Sequence, residues 1–347
     1  MIEKLFAMGL LPEALIRRGI RWQLADRLKS EAQKDKSVFI ADMAAAPLAL
    51  KTDSANSQHY EVPSDFFGIF MGKHRKYSCC LWPEEALASP PPPQKLAEDL
   101  DGAELAMLEL TAKRAGIRNG DKVLDLGCGW GAFCLFAAEK FPESSITAVS
   151  NSASQKAYID SQAALRGLRN LTVITQDINH LSFDQPFDRI VSVEMFEHMR
   201  NYRLLLNRVA SWLKPDGELF VHIFVHKRYA YPMDDESNSW MARHFFSGGM
   251  FPSYDIFSYF TEDITVKQQW PVNGNHYALT CEAWHRKCLS QKKSVLDVFG
   301  QFYGLNSELS SLERLAMWRM FFLACAELFA WQDGGEWFVG HYLLGRS

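Results

Sequence analysis

The sequence predicts an α/β protein whose core is a doubly wound, mainly parallel sheet, with an N-terminal helical extension and an inserted helical cap. Three observations support this fold class. Short apolar runs typical of buried strands alternate with helical patterns between residues 122 and 222, which indicates parallel strands joined by crossover helices. A glycine-rich turn follows the first of these strands. Helical patterns also precede this region and occupy residues 283 to 332.

Composition and charge narrow the class of protein. The 347 residues, 48% hydrophobic and 22% charged, are ordinary for a soluble globular enzyme. A net charge of −4 gives no electrostatic reason to expect nucleic acid as a partner. The seven cysteines include no C-x-x-C pair, so reduced thiols and a cytoplasmic location are expected. No apolar run reaches the length of about 18 residues that a membrane-spanning helix needs.

Residues 1–93 are predicted to form a helical extension and lid. A helix is expected up to about residue 36, with its apolar face formed by Leu5, Met8, Leu11, Leu15 and Ile16. Basic residues on the rest of this helix could contact an anionic membrane, but a helix docked on the main domain is the preferred interpretation. Pro90 to Pro93 predict a stiff surface linker, because proline lacks the N–H group and fixes φ.

Residues 94–347 are predicted to form the core, with helical insertions at about 225–262 and 275–332. A helix is expected from about 94 to 115. The strands are predicted at 122–126, 145–149, 171–175, 187–193, 218–222, 264–272 and 337–344, with helices at 155–165 and 202–213 between the early ones. Such a sheet binds its ligands at the carboxyl ends of the parallel strands.

The turn after residue 126 carries a ligand-binding signal. Gly127, Gly129 and Gly131 stand at alternate positions, which lets a ligand approach the backbone, and the next helix directs its N-terminal N–H groups there. G-x-G-x-G fits neither the dinucleotide fingerprint nor a P-loop. With Asp125 before it, the turn resembles motif I of the Rossmann-like class I S-adenosylmethionine-dependent methyltransferases. That resemblance implies that Asp125, Gly127 and Gly129 bind this cofactor, although glycines needed only for a turn would look the same.

Two further strand ends carry polar residues suited to a nucleoside. Asn151 and Gln155 follow the second strand, where many class I methyltransferases place an acid for the ribose hydroxyls. Their amides can still hydrogen-bond to a diol, although a helix cap would use the same residue types. Asp177 and Ile178 follow the third strand. There an acid could accept from the adenine amino group while an apolar side chain lies against the ring.

Glu194, Glu197 and His198 follow the fourth strand. Two carboxylates and an imidazole within five residues suit proton removal, because an ammonium ion has no lone pair and needs a base before it can attack a sulfonium methyl group. A strand-end turn tied by carboxylate-to-backbone bonds is the alternative. Neither an H-E-x-x-H pattern nor a third ligand at fixed spacing is present, so no metal is predicted.

Several segments identify the family that the chain resembles, namely the cyclopropane-fatty-acid-synthase-like methyltransferases and, within them, the coclaurine N-methyltransferase group. The main matching segments are 58–63, 76–80, 124–131, 151–152, 194–199 and 221–224, supported by 245–249, 272–277 and 336–341. The resemblance covers roughly residues 55 to 345. It implies that Tyr77 and Ser78 lie over the cofactor and that Glu194, Glu197 and His198 act in an amine site.

The resemblance also raises the question of bicarbonate, which serves as the base in cyclopropane synthases. There it is held by a Cys, a Glu, a His, an Ile and a Tyr, and the matching positions here are Cys79, Glu197, His222, Phe224 and Tyr277. Phe224 departs from that pattern and follows the N-methyltransferase version. This departure counts against a bound bicarbonate.

The sequence therefore predicts an S-adenosylmethionine-dependent N-methyltransferase acting on a small, aromatic or alkaloid-like amine. Its aromatic pocket is expected to be walled by Tyr77, Phe246, Phe322, Trp337 and His341, whereas Cys325 is expected to be a buried filler. The alternatives are bicarbonate-assisted methyl or methylene transfer to an unsaturated lipid, and a cofactor-binding scaffold without catalysis. The first 36 residues and the proline segment match the plant alkaloid enzymes less well. The identity of the amine and a homodimeric state are left open.

Overall fold

The computed structural model of the protein describes residues 5, 11–49, 62–233, 240–304 and 307–347. Met8 and the first part of the 58–63 segment lie outside the described residues. The strands are β1 (Lys122–Leu126), β2 (Ser145–Ser150), β3 (Leu171–Thr175), β4 (Phe187–Val193), β5 (Leu213–His226), β6 (Tyr231–Met233), β7 (Gly249–Phe251), β8 (Ile264–Val272) and β9 (Trp337–Arg346).

The helices of the described residues fall into an N-terminal group, a set within the sheet region and a C-terminal group. They are α1 (Glu13–Glu31), α2 (Lys36–Ala45), α3 (Ser64–Phe70), α4 (Glu84–Ala88), α5 (Pro93–Arg114), α6 (Ala132–Lys140), α7 (Ala153–Leu165), α8 (Tyr202–Trp212), α9 (Trp240–His244), α10 (Asn275–Ser290), α11 (Lys292–Tyr303) and α12 (Ser311–Phe329). None of them is both long and apolar enough to cross a membrane.

Seven strands form one sheet in the order β3-β2-β1-β4-β5-β9-β8. The first five strands in the chain pair in parallel, whereas β9 runs antiparallel to both β5 and β8. Alternate residues of β1 enter different cores: Val123 packs under α5, α6 and α7, and Leu124 packs under α2 and α8. Helices thus cover both faces, and the predicted doubly wound α/β fold is confirmed.

β5 is longer than the predicted 218–222. It pairs with β9 from Glu218 to His226, and the antiparallel partner extends it past the expected end. Near its start, Leu213 pairs with Phe187 before a register shift resumes pairing at Glu218. The intervening Pro215, Asp216 and Gly217 carry the turn signal that made the prediction start too late.

The N-terminal helix differs from its prediction. Instead of one helix to residue 36, α1 begins after Pro12, and Asp35 caps a separate α2 by accepting a hydrogen bond from the Ser37 N–H group. Ile16 is buried against α12, but Leu15 is 57% exposed, so the expected apolar face is wrong at that residue. α1 packs against α12, as the preferred docking interpretation expected.

The proline segment is also shorter than predicted. Pro93 occupies the first turn of α5, where its missing N–H group would have no partner in any case. Only Pro90 to Pro92 lie between α4 and α5. The helix then runs to Arg114, close to its predicted end, and buries Leu100 and Met107. The division of the chain into an extension and a core at residue 93 stays a prediction.

Candidate active site

A cavity of about 1440 Å³ opens at the carboxyl ends of β1, β2, β3 and β4. The opposite wall is formed by apolar residues of α1 and α12, among them Ile16, Ile20, Leu24 and Phe321. All nine residues predicted to bind the cofactor line this one cavity, namely Tyr77, Ser78, Asp125, Gly127, Gly129, Asn151, Gln155, Asp177 and Ile178. The topology thus brings together four strand ends that are far apart in the sequence.

The glycine turn has the backbone conformation that only glycine adopts readily. Gly127, Gly129 and Gly131 have φ values of 86°, 50° and 81°. A Cβ atom on Gly127 would lie 2.7 Å from the Met195 side chain, whereas one on Gly129 would meet no protein atom within 4 Å. Because Gly129 lines the cavity, its open side is a place where a ligand can lie directly on the backbone.

Asp125 presents a polar group that no described side chain satisfies. The residue is 1% exposed, and its Oδ2 atom is buried without a hydrogen-bond partner. Burial raises the pKa of this carboxyl to about 7. A buried oxygen of this kind on a cavity wall is suited to a ligand that brings its own hydrogen-bond donor.

The second and third strand ends combine helix capping with access to the cavity. Ser152, not Asn151, caps α7, and it accepts from the Gln155 N–H group at 3.3 Å. The Gln155 side-chain oxygen accepts from Ser150 Oγ at 2.7 Å. Asp177 caps a short turn of 3₁₀-helix through Oδ1, which accepts from Asn179. Capping and ligand contact are therefore compatible at both strand ends.

The segment 72–78, which contributes Tyr77 and Ser78 to the cavity, is held in place by a residue that the sequence did not mark. Glu104 of α5 is fully buried and accepts hydrogen bonds from the N–H groups of Gly72, His74 and Lys76. Burial raises the pKa of Glu104 to about 7. The buried Lys76 ammonium in turn donates to Ser78 Oγ and to the Cys79 carbonyl oxygen. No local sequence pattern marks Glu104, because its partners lie about 30 positions earlier.

Glu194 receives hydrogen bonds from three separate elements. Its Oε1 accepts from the Cys79 N–H group at 3.0 Å and lies 3.3 Å from His222 Nε2, while its Oε2 accepts from the Tyr277 hydroxyl at 2.5 Å. Burial raises the pKa of Glu194 to about 7, opposed by the Lys76 charge and by these hydrogen bonds. A carboxyl group balanced near neutrality can accept and release a proton at physiological pH.

Glu197 and His198 follow on a turn of 3₁₀-helix, and both line the cavity. Glu197 is 1% exposed, and its Oε2 atom has no partner among the described residues. Burial, together with the nearby Glu194 charge, holds the pKa of Glu197 well above its usual range. This shift favours the neutral, protonated form of the carboxyl. The partly exposed His198 ring lies 4.9 Å from the Phe246 ring.

The predicted substrate residues divide into two groups. Tyr77, Phe246, Tyr277 and Trp337 line the cavity, whereas Cys79, His222, Phe322 and His341 do not. Phe322 is wrong as a wall residue because α12 turns it into the aromatic core, 5.1 Å from Phe70, and presents Phe321 and Cys325 to the cavity instead. Cys325 is correspondingly half-buried rather than a buried filler.

His341 is also wrong as a wall residue. It is fully buried within the sheet beside His222. His222 and Cys79 reach the site indirectly, because both contact Glu194. Across the described ranges, no cluster of three or more His, Cys, Asp or Glu side chains could hold a metal ion.

The sheet order, the glycine turn and the cavity at the strand ends together define the class I methyltransferase fold. A family model described as mycolic acid cyclopropane synthetase matches residues 49–334. (S)-coclaurine N-methyltransferase of Thalictrum flavum subsp. glaucum is 35% identical, over 99% of this chain and 95% of its own length. That alignment spans the N-terminal segment that the sequence analysis had set apart.

One solved structure and one further sequence relative show similarity to two kinds of enzyme. A crystal structure of coclaurine N-methyltransferase bound to N-methylheliamine and SAH has a TM-score of 0.89 at 33% identity, covering 99% of this chain and 98% of the other. The cyclopropane-fatty-acyl-phospholipid synthase of Escherichia coli (strain K12) is 29% identical, over 81% of this chain and 66% of its own length. The chain belongs to the family that joins the mycolic acid cyclopropane synthetases and the coclaurine N-methyltransferases.

Proposed function

We propose that the protein is an S-adenosylmethionine-dependent N-methyltransferase that acts on a small, alkaloid-like amine. One observation carries the proposal. The Cys79, His222 and Tyr277 positions match residues that hold bicarbonate in cyclopropane synthases, and here all three contact the carboxylate of Glu194. A carboxylate belonging to the protein thus takes the hydrogen bonds that would otherwise hold a bicarbonate base.

The residues at the strand ends fit the cofactor. The unpartnered Asp125 Oδ2 can accept from a polar group of its amino-acid end, and the open side of Gly129 leaves room for the ligand against the backbone. The buried Tyr77 hydroxyl, which also lacks a partner among the described residues, faces the same cavity. When bound, S-adenosylmethionine would supply a sulfonium methyl group whose carbon a neutral amine attacks in line, so that the N–C bond forms as the C–S bond breaks and S-adenosylhomocysteine leaves.

The chain's own residues prepare the amine. Glu194 Oε2 accepts one hydrogen bond, from Tyr277, and so keeps a lone pair for the proton of a substrate ammonium. Burial favours the neutral form of Glu197, which would add no second negative charge beside Glu194. The rings of Tyr77, Phe246 and Trp337 exclude water and attract a cation through their faces. His198 completes this group at the partly exposed wall.

Methyl or methylene transfer to an unsaturated lipid is the less favoured function. A bicarbonate ion would need the donors that Glu194 already uses, and it would have to share a buried site with that carboxylate. Phe224 also lines the cavity, within 5.6 Å of the Phe246 ring centroid. It occupies the position where the matching pattern has a smaller aliphatic residue.

Radiolabelled methyl transfer distinguishes the two functions. The purified protein is incubated with labelled S-adenosylmethionine and either a panel of secondary and tertiary aromatic amines or vesicles of an unsaturated phospholipid. Label should enter one or more amines and remain absent from the vesicles. Labelled lipid with every amine untouched would contradict the proposal and leave the fold assignment intact.

A further inference from the structure

A row of side chains crosses the sheet behind Glu194. The strand register places Val193 of β4 beside His222 of β5, His222 beside His341 of β9, and His341 beside Trp270 of β8. Residues paired directly across adjacent strands share one face of a sheet. On this face Arg114, the last residue of α5, lies over the Trp270 ring at 4.9 Å. The row therefore runs from Val193, which directly precedes Glu194, to Trp270, which lies under Arg114.

Hydrogen bonds connect this row end to end. Arg114 Nη1 lies 2.7 Å from His341 Nδ1, and His341 Nε2 lies 2.8 Å from His222 Nδ1. His222 Nε2 then lies 3.3 Å from Glu194 Oε1. Both imidazole rings are fully buried. The chain thus uses both nitrogens of each histidine, and the residues at its two ends are 80 positions apart in the sequence.

Arg114 gives this chain a direction. A guanidinium group can only donate, so His341 Nδ1 must accept and its proton must be on Nε2. His222 Nδ1 then accepts in turn, which puts the His222 proton on Nε2, where it points at Glu194. Burial and the nearby Lys76 and Arg114 charges hold the pKa of both histidines well below the usual range. Each ring is therefore neutral and carries a single N–H group.

We propose that Arg114 and His341 are positioning residues for the methyl transfer, which act through His222 to keep a hydrogen-bond donor directed at Glu194. This inference rests on the proposed role of Glu194 as the base. The donor stabilises the ionised carboxylate, which is the form that can take a proton from the amine. Reversal of the chain would turn a lone pair of His222 towards Glu194, and only a protonated Glu194 accommodates that arrangement.

Several other groups act on Glu194, and the test must hold them constant. They are the Cys79 N–H group, the Tyr277 hydroxyl, the Lys76 ammonium, and the side chains of Glu197, Tyr77, Cys79 and Cys80. His276 acts on His341. Arg114 hydrogen-bonds to His341 and lies over the Trp270 ring, so its substitution removes no group that contacts Glu194, whereas His276 lines the same small pocket as Arg114.

The first measurement reads the direction of the chain without any substitution. In a histidine-selective ¹⁵N NMR spectrum of the wild-type protein, His222 and His341 should each be protonated on Nε2 and unprotonated on Nδ1 between pH 7 and 8. Assignment comes from conservative single-histidine variants. Protonation of His222 on Nδ1 would overturn the proposal, whatever the activity of the protein.

The second measurement uses the pH dependence of kcat. Arg114→Met should shift the acidic limb upward by about 1 pH unit, the size expected for weakening one hydrogen bond to a carboxylate, and activity should recover at high pH. Arg114→Lys keeps both donor and charge and should restore the wild-type profile. Arg189→Met is the control. Arg189 lies on β4, is half-buried like Arg114, and pairs with Glu218 outside the cavity.

An unchanged acidic limb of the kcat–pH profile in folded Arg114→Met protein would contradict the proposed positioning role of Arg114 and His341. Full activity in Glu194→Gln would instead contradict the role of Glu194 as base, and the wild-type NMR result would still stand or fall by itself. The two failures are therefore distinguishable.

Discussion

Glu194 is held by its backbone as well as by its side chain. It is one of four non-glycine residues with positive φ among the described residues, at 48°, and its N–H group donates to the His222 carbonyl oxygen at 2.8 Å. A left-handed conformation costs a residue with a Cβ atom about 1–2 kcal/mol. Here it turns the carboxylate from the end of β4 into the cavity, where Cys79, His222 and Tyr277 meet it. Local strain and three hydrogen-bond partners together fix one position for this carboxylate.

The two carboxyl groups of the site should respond differently to the same substitution. Glu194→Gln removes the base and should lower kcat by roughly 10²–10⁴-fold at pH 7. Glu197→Gln should stay near the wild-type rate, because burial favours the neutral form of the carboxyl, which glutamine resembles in shape and charge. Steady-state kcat and KM for an accepted amine check both. An equal loss in Glu197→Gln would assign the proton transfer to Glu197 instead.

A side chain added at Gly129 tests whether the cofactor binds against the glycine turn. Gly129→Val places a side chain on the open side of the turn, so titration calorimetry should show the affinity for S-adenosylhomocysteine lost while the circular dichroism spectrum persists. Gly167→Val is the matched control, since Gly167 also has positive φ and open surroundings but does not line the cavity. Both variants carry similar backbone strain. Unchanged affinity in Gly129→Val would remove the turn from the cofactor site.

Two arginines link α1 to the C-terminal helices: Arg21 pairs with Glu327 of α12, and Arg17 makes the larger set of ion pairs. Arg17 donates to Glu13, Glu282 of α10 and Glu327 of α12, and its side chain is 18% exposed. Ile16, Ile20 and Leu24 of the same helix line the cavity. The position of α1 therefore helps to set the shape of the cavity.

Arg17→Met should therefore loosen α1 and weaken amine binding. It leaves the carboxylates of Glu282 and Glu327 without this partner, at a cost of about 2 kcal/mol. Hydrogen exchange in α1 should accelerate and KM for the amine should rise, while cofactor affinity stays constant. Lys95→Met, which removes an exposed pair with Asp99, is the control. An unchanged KM with faster exchange would separate α1 from the pocket.

The elements that the sequence predicted well are those with strong local signals. β1, β3, β4 and β8 have the bounds expected from their apolar runs. α1 and β5 were misjudged where a proline or a turn-like triplet competes with tertiary contacts, at Pro12 and at Pro215 to Gly217. In α12, a stretch that is apolar on every side gives no phase, so Phe322 and Phe321 were not distinguishable by pattern.

The candidate site follows the same rule. Seven of the nine residues predicted to bind the cofactor lie at strand ends, which a sequence can mark, and all nine line the cavity. Arg114 and His341 could not be associated, because 227 positions separate them and only the register of β9 with β5 and the end of α5 bring them together. Glu104 and Lys76 were missed for the same reason.

At the scale of the molecule, the fold assembles two half-sites and one shared charge. The carboxyl ends of β1, β2 and β3 provide the glycine turn and the polar positions predicted for a nucleoside. The end of β4 and α10 provide Glu194 and Tyr277, and Phe321 of α12 adds to the apolar wall. Lys76 lies between them, buried, and acts electrostatically on Glu194 and on Glu104. In the proposed function, this arrangement carries its base as a side chain, so methyl transfer needs no bicarbonate.

The bicarbonate dependence of the methylation rate, measured for wild type and Glu194→Ala side by side, tests whether Glu194 acts in place of bicarbonate. Methylation of an accepted amine is followed in carefully degassed buffer and again with added bicarbonate. The wild-type rate should be the same in both, whereas Glu194→Ala should be nearly inactive and should regain part of its rate with bicarbonate, which can then occupy the donors of Cys79, His222 and Tyr277. A wild-type rate that collapses on bicarbonate removal and returns on its addition would show that bicarbonate, and not Glu194, is the base.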